Sequence, residues 1–233
     1  MILNTIRGEA MQDKNKRKAF VERARDISIR HFADTAATYD TAYGTISPMH
    51  AESVREFLIL LGPDAAVLDA ACGTGVYFEM LLQHASRLFG IDQSEAMLSE
   101  ARQKWPEVKT RCLALQHLQF CEEFAGAFQG VVCINALEWV LRDDWAAVLA
   151  GFRHVLSAGG LLYVTIEIPG EDERRALAQG PEEGAEAGEV AVHYWYNHFP
   201  AVDDVLAWAA QHGFRKEAHR HCAYYHHLLL RLT

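Results

Sequence analysis

The chain has 233 residues, half of them hydrophobic and 23% charged, which is enough for one sizeable α/β core. A net charge of -9 lacks the basic face that a nucleic-acid backbone demands, so nucleic acid is set aside as a partner. Five cysteines (Cys72, Cys112, Cys121, Cys133 and Cys222) make an odd count with no CxxC spacing, which fits thiols in a reducing compartment better than disulfides.

No N-terminal segment has the apolar core of a signal peptide, and no run approaches the ~20 apolar residues of a membrane span. A cytoplasmic protein without a membrane partner is therefore expected. The first ten residues read as a short irregular leader before Met11. From Arg17 to His31 the spacing of Phe20, Val21, Ala24 and Ile27 is helical. The basic patch Lys14 to Lys18 reads as a solvated helix face. The segment Phe32 to Gly44, small and polar around Tyr39-Asp40, predicts a loop or broken helix. A helix from Pro48 to Leu61 is stopped by Gly62-Pro63.

A regular alternation follows. Strands are predicted at Ala66–Ala70, Arg87–Ile91, Val108–Leu113, Val131–Asn135 and Leu161–Ile166. Helices are predicted at Val76–His84, Glu95–Lys104 and Asp144–Leu156, with a short loop or helix near Gln116–Phe124. Apolar strands separated by amphipathic helices indicate a parallel sheet covered on both faces. Ser94 is a suitable N-cap, and Gly159-Gly160 reads as the stop of the helix ending at Leu156. Gly170 to Glu189, rich in Glu, Ala and Gly, reads as a mobile loop or marginal helix. Helix Ala201–His212 precedes two strand-like runs, Phe214–Cys222 and Tyr224–Leu232, close enough to pair as a hairpin and end the sheet antiparallel.

The most informative stretch is Val67-Leu68-Asp69-Ala70-Ala71-Cys72-Gly73-Thr74-Gly75. A strand ends in a carboxylate and breaks into a turn with two glycines before a helix, a cradle for an extended small ligand. Asp92 closes the next strand 19 residues after Gly73, where an acid can accept both hydroxyls of a ribose. NAD and S-adenosylmethionine both fit that outline. The third glycine position of a dinucleotide fingerprint holds Phe78, and Asp69 would repel a pyrophosphate while suiting the ammonium of an amino acid, so NAD is disfavoured.

These residues, with Gly90-Ile91-Asp92-Gln93-Ser94-Glu95-Ala96-Met97-Leu98, Val131-Val132-Cys133-Ile134-Asn135-Ala136-Leu137 and Arg153 to Leu161, resemble the class I S-adenosylmethionine-dependent methyltransferases. The segment Phe32 through Ala37-Thr38-Tyr39-Asp40 resembles the N-terminal lid of that family. The resemblance implies a Rossmann-like, doubly wound α/β sheet of seven strands, mostly parallel with an antiparallel C-terminal edge strand. It divides the chain into a helical lid or extension over 1–62 and a cofactor-binding domain over 63–233. It implies that Asp69 and the backbone of Ala71, Gly73 and Gly75 hold the methionine part and Asp92 the ribose. Gln93 and Met97 would lie beside ribose and adenine, Asn135 and Ala136 beside the sulfonium and methyl, and Tyr39 over the ligand. The acid often found after the third strand is absent, which leaves adenine to the backbone around Ala114, to Leu115 or to Gln116. Phe128-Gln129-Gly130 likewise lacks the acid that usually opens the fourth strand, which marks a diverged member.

Asn135 is not followed by Pro-Pro-Tyr, so the pocket of nucleic-acid N-methyltransferases is missing and a small-molecule acceptor is expected, in a monomer or homodimer. Possible proton acceptors are Glu138, just past the fourth strand, and His193 and His198 in an aromatic cluster, where Trp195 and Phe199 also read as core anchors. Twelve histidines raise the question of a metal. His219 and His221 share a strand face that His226 or His227 could meet, but no Cys or carboxylate completes a recognised spacing, and no metal is assigned. Two other functions share these motifs: a rearrangement with the cofactor as a structural element, and a scaffold subunit for a partner methyltransferase.

Overall fold

The computed structural model describes residues 2–192 and 195–233. Nine strands and eight helices occur in the order α1 (Ile2–Thr35), α2 (Tyr39–Tyr43), α3 (Pro48–Leu61), β1 (Ala66–Ala70), α4 (Phe78–Leu82), β2 (Arg87–Asp92), α5 (Glu95–Lys104), β3 (Lys109–Cys112), β4 (Phe128–Cys133), α6 (Trp145–Val155), β5 (Leu156–Glu167), α7 (Glu171–Ala178), β6 (Glu189–Val192), β7 (Trp195–His198), α8 (Val202–Gln211), β8 (Phe214–His221) and β9 (Tyr225–Leu232). Seven strands form one sheet in the order β3-β2-β1-β4-β5-β9-β8. The pairs from β3 to β5 are parallel, and β9 is antiparallel to both of its neighbours. The antiparallel strand is thus one place in from the edge, and the outermost strand, β8, runs parallel to β5. From β1 the chain winds outward through β2 and β3, then returns to place β4 on the other side of β1. That reversal opens a crevice beyond the carboxyl ends of β1 and β4.

The strands are apolar because both faces are covered. Leu68, Val131 and Leu162 pack with α6 and α8 on one face, and Val67, Val132 and Tyr163 pack with α3, α4 and α5 on the other. Each such side chain contributes about 1.5–3 kcal/mol on burial. Ser94 caps α5 by accepting from Met97 N–H at 3.3 Å, and Ser47 caps α3 by accepting from His50 N–H at 3.3 Å.

Three sequence expectations change. Residues 2–10 are helical and not an irregular leader. Ile2, Leu3, Ile6 and Ala10 recur there at helical spacing, and further along α1 ion pairs run from Lys16 to Glu183 and from Arg17 to Asp143 and Glu189. Gly159 and Gly160 do not stop α6. They lie inside β5, where the register to β4 slips between Phe128 and Gly130, and Gly159 takes φ 73°. The segment after Gly170 carries α7, and Glu189 opens the two-stranded sheet β6-β7, which the sequence pattern did not show. Phe32 to Gly44 takes the second of its two expected forms, a broken helix: α1 runs on to Thr35, a short 3-10 turn covers Ala36–Thr38, and α2 follows.

Candidate functional site

A cavity of about 480 Å³ opens in the crevice at the topological reversal, a size typical of ligand sites. Its floor is the glycine turn. Ala71, at the end of β1, has φ 68°, and Asn135, just past β4, has φ 52°. Two non-glycine residues in the left-handed region at the ends of adjacent central strands mark strain held at one place. Asn135 is fixed there by its N–H, which donates to Thr165 Oγ1 at 2.8 Å.

Gly73 and Gly75 serve different ends. Gly73 has φ 53°, and a Cβ there would meet nothing within 4 Å, so its backbone is bare toward the cavity. Gly75 has φ 79° and is not part of the cavity wall; a Cβ there would stand 2.8 Å from the ring of Phe78. Gly90 of β2 makes room for the same ring from the other side, since its Cβ would stand 2.8 Å from Phe78 Cζ. Phe78 therefore fills the space in which a third glycine would allow helix and strand to approach.

Asp92 binds the turn to the end of β2. Its Oδ2 accepts from Gly73 N–H at 2.9 Å and its Oδ1 from Ser94 N–H at 2.8 Å. Burial pushes its carboxyl up, and these backbone donors oppose the rise. Asp69 is more deeply enclosed, at 2% exposure, and its Oδ2 has no hydrogen-bond partner. Burial, and then repulsion from Asp92, push its carboxyl up to about 8. A buried carboxylate oxygen with no donor, in the wall of a cavity, calls for a cationic N–H group on a ligand.

The roof comes from the N-terminal segment. Tyr39 and Tyr43 of α2 line the cavity, and Asp40 accepts from Thr74 Oγ1 of the glycine turn and from Lys104 Nζ of α5. Burial works against the Asp40 carboxylate, but the hydrogen bonds from Lys104 and Thr74 prevail and hold its pKa below the ordinary value. Arg25, Ser28, Ile29 and Phe32 of α1 complete the roof, and Arg25 donates to both oxygens of Asp144 at 3.0 Å.

Of the residues expected at a cofactor, Tyr39, Asp69, Ala71, Gly73, Asp92, Gln93, Met97, Ala114, Leu115, Asn135 and Ala136 all face this one cavity. Gly75 shapes the turn from behind. Glu138 and His198 do not reach the wall: Glu138 is buried in the 3-10 turn Leu137–Trp139, and His198 is buried on β7 with its ring 6.0 Å from that of Trp145. Burial pushes His198 down to about 4. His193 lies outside the described residues. At the hairpin, His219 and His226 meet at 3.1 Å on an exposed face. The α1 wall, with Tyr77 and Trp139, was missed in the sequence. Its one signal was Ile29, an apolar residue off the stripe that faces the core.

Fold and site together define a class, and comparison with known proteins agrees. Residues 67–160 match the family described as a methyltransferase domain, and the sheet with its crevice has the Rossmann-like fold of solved methyltransferases. Among curated relatives, a ubiquinone biosynthesis O-methyltransferase of Pseudomonas paraeruginosa is 31% identical over 122 residues, 52% of this chain and 51% of that protein. The same-named enzyme of Marinobacter nauticus is 31% identical over 124 residues, 52% of this chain and 50% of its own length. The chain spans about half the length of the curated relatives it matches. Among solved structures, magnesium protoporphyrin IX methyltransferase of Synechocystis PCC 6803 with bound S-adenosylhomocysteine superposes with a TM-score of 0.66 at 17% identity, covering 90% of this chain and 100% of that one. A 1,6-didemethyltoxoflavin-N1-methyltransferase of Burkholderia thailandensis gives 0.66 at 16% identity, covering 91% and 90%. At such identities these two speak for the fold.

Proposed function

We propose that this protein transfers a methyl group from S-adenosylmethionine to a small-molecule acceptor. The observation that carries the reading is the unpartnered Asp69 Oδ2 beside the bare Gly73 backbone, in a cavity at the crevice between β1 and β4. The fit is chemical. Asp69 suits the ammonium of the methionine part, and the Ala71–Gly73 backbone leaves space for it to lie close. Asp92 is oriented by two N–H groups and keeps lone pairs for ribose hydroxyls. Gln93, Met97, Ala114 and Leu115 would flank ribose and adenine, and Asn135 and Ala136 the reacting end.

The bound cofactor supplies an electrophilic methyl on a sulfonium. The chain's own residues bind, orient and exclude water. Residues 1–62 are the helical lid or extension of the domain over 63–233, with Tyr39 closing the cavity and Asp40 fastening it. A cytoplasmic enzyme working as a monomer or homodimer belongs to this reading; no helix among the described residues is long and apolar enough to cross a membrane. The proteins named as a ubiquinone biosynthesis O-methyltransferase, a 1,6-didemethyltoxoflavin-N1-methyltransferase and a magnesium protoporphyrin IX methyltransferase support an acceptor of small-molecule size.

Calorimetry with S-adenosylmethionine tests the reading. Binding is expected, with a loss of at least about tenfold in Asp92→Ala, followed by release of S-adenosylhomocysteine when an acceptor panel is supplied. Absence of binding by the unaltered protein would sink it.

A further inference from the structure

The methyl donor accounts for one side of the cavity only. The residues assigned to it stand at or just beyond the ends of β1, β2, β3 and β4 and on α5, with Tyr39 above them. The remaining wall belongs to α1, α2 and the 3-10 turn Leu137–Trp139, and its character is different. Trp139 is tied to the reacting end, because its N–H donates to the carbonyl of Ala136 at 3.1 Å. Its indole stacks on His31 at 4.8 Å and 25°, and the ring of Phe32 meets it edge-on at 4.7 Å. Trp139 and Phe32 border the cavity and His31 does not, so the indole is a plate supported from behind. A second aromatic pair comes from α2, where the rings of Tyr39 and Tyr43 lie 5.1 Å apart. No ring contact joins the two pairs among the described residues, yet all four side chains border the same space.

Exposure singles out the same wall. Ile29 is 54% exposed and Tyr43 60%, and both line the cavity. Large apolar side chains left in water at the mouth of a cavity are surface for a ligand to cover. This side also offers no unpaired charge. Arg25 and Asp144 are paired with each other, and the Ser28 hydroxyl donates to the carbonyl of Ala24 at 3.1 Å. Ring faces and an isoleucine are left, with the phenolic hydroxyls of Tyr39 and Tyr43 beside them.

We propose that the methyl acceptor is an uncharged planar aromatic molecule held with its ring against Trp139, and that Trp139 sets this specificity. The proposal rests on the methyl-donor reading above and names the acceptor class for that same cavity. A flat π-system gains stacked or edge-to-face contact with Trp139 and Phe32 from one element and with the tyrosine pair from another. A saturated ring of the same size buries similar area and loses that geometry. A carboxylate or ammonium would leave water for a wall that has no counter-ion to give it. Because Trp139 is tied to Ala136, a ring resting on the indole is brought to the end of β4, where Asn135 and Ala136 flank the reacting end.

Calorimetry on protein saturated with S-adenosylhomocysteine supplies the test. The probes are 2-naphthol, its saturated counterpart decahydro-2-naphthol, the anionic 6-hydroxy-2-naphthoate and the cationic 2-naphthylmethylamine. 2-Naphthol is expected to bind at least about fivefold tighter than the saturated alcohol, and at least about tenfold tighter than either charged probe. Trp139→Leu should erase most of the preference for the aromatic ring, Trp139→Phe should keep it, and both should retain the affinity for S-adenosylhomocysteine. The preference is a ratio of two affinities within one variant, so a general loss of folded protein does not imitate its loss. Tyr43→Leu, at an exposed position that leaves folding alone, should weaken 2-naphthol about threefold. Equal affinity for 2-naphthol and the saturated alcohol, a charged probe that binds as tightly, no binding by any probe, or an unchanged preference in Trp139→Leu overturns the proposal. So does a Trp139→Leu variant that folds but loses S-adenosylhomocysteine, because the indole would then serve the donor. Failure of the unaltered protein to bind S-adenosylhomocysteine at all is a separate result that refutes the methyl-donor reading itself.

Discussion

Asp69 and Gly75 show how single residues set the terms of the cleft. An acid raised from the ordinary 3.8 to about 8 holds its proton more tightly in the folded chain than in the unfolded one. Its contribution to stability is therefore fully present at low pH and is lost as pH rises through that window. The ligand-free protein should lose melting temperature between pH 4 and pH 8, and Asp69→Asn should flatten that slope. The same variant should bind S-adenosylmethionine at least about tenfold more weakly, as seen by calorimetry. Gly75→Ala combines a left-handed φ of 79° with a Cβ 2.8 Å from the fully buried Phe78 ring. Urea unfolding should show a loss of about 2–4 kcal/mol. Both residues were visible in the sequence, but their tasks were only partly so. The strand-turn-helix pattern marked the turn, whereas only the packed ring of Phe78 separates the glycine that faces the cavity from the one that faces the core.

Among the elements, the lid and its fastening matter most for the site. Asp40 joins α2 to the glycine turn through Thr74 and to α5 through Lys104. Asp40→Asn keeps the size of the side chain and removes the charge that attracts Lys104. Residues 36–44 should then exchange amide hydrogens faster and be cut sooner by protease, while the sheet stays protected. Added salt should produce part of the same loosening in the unaltered protein, because half of the fastening is an exposed ion pair. The sequence marked this segment as a loop or broken helix. It could not show the closure, because the carboxylate and its two partners lie 34 and 64 positions apart.

Across the whole molecule, α1 is held to the rest by charge as much as by packing. Arg17 reaches the fully enclosed Glu189 of β6 and Asp143 ahead of α6, and Glu189 also accepts from Tyr196 Oη at 2.9 Å. Arg17→Ala would strand a buried carboxylate and should cost about 3–5 kcal/mol in chemical denaturation. Because α1 also carries Arg25, Ser28, Ile29 and Phe32 into the roof, cofactor affinity should fall with it. None of these long-range ties was legible in the sequence, nor was the sheet β6-β7, whose four-residue strands are too short to carry a pattern. The chain by itself determined the alternation of strand and helix, the parallel core and the glycine turn with Asp69 and Asp92, because periodicity, capping and turn chemistry act over a few neighbouring residues. Tertiary structure decided which residues roof the cavity, where β9 enters the sheet, and which carboxylates are left without a partner. Burial and pairing depend on groups brought together from distant parts of the chain, and no local pattern encodes that distance.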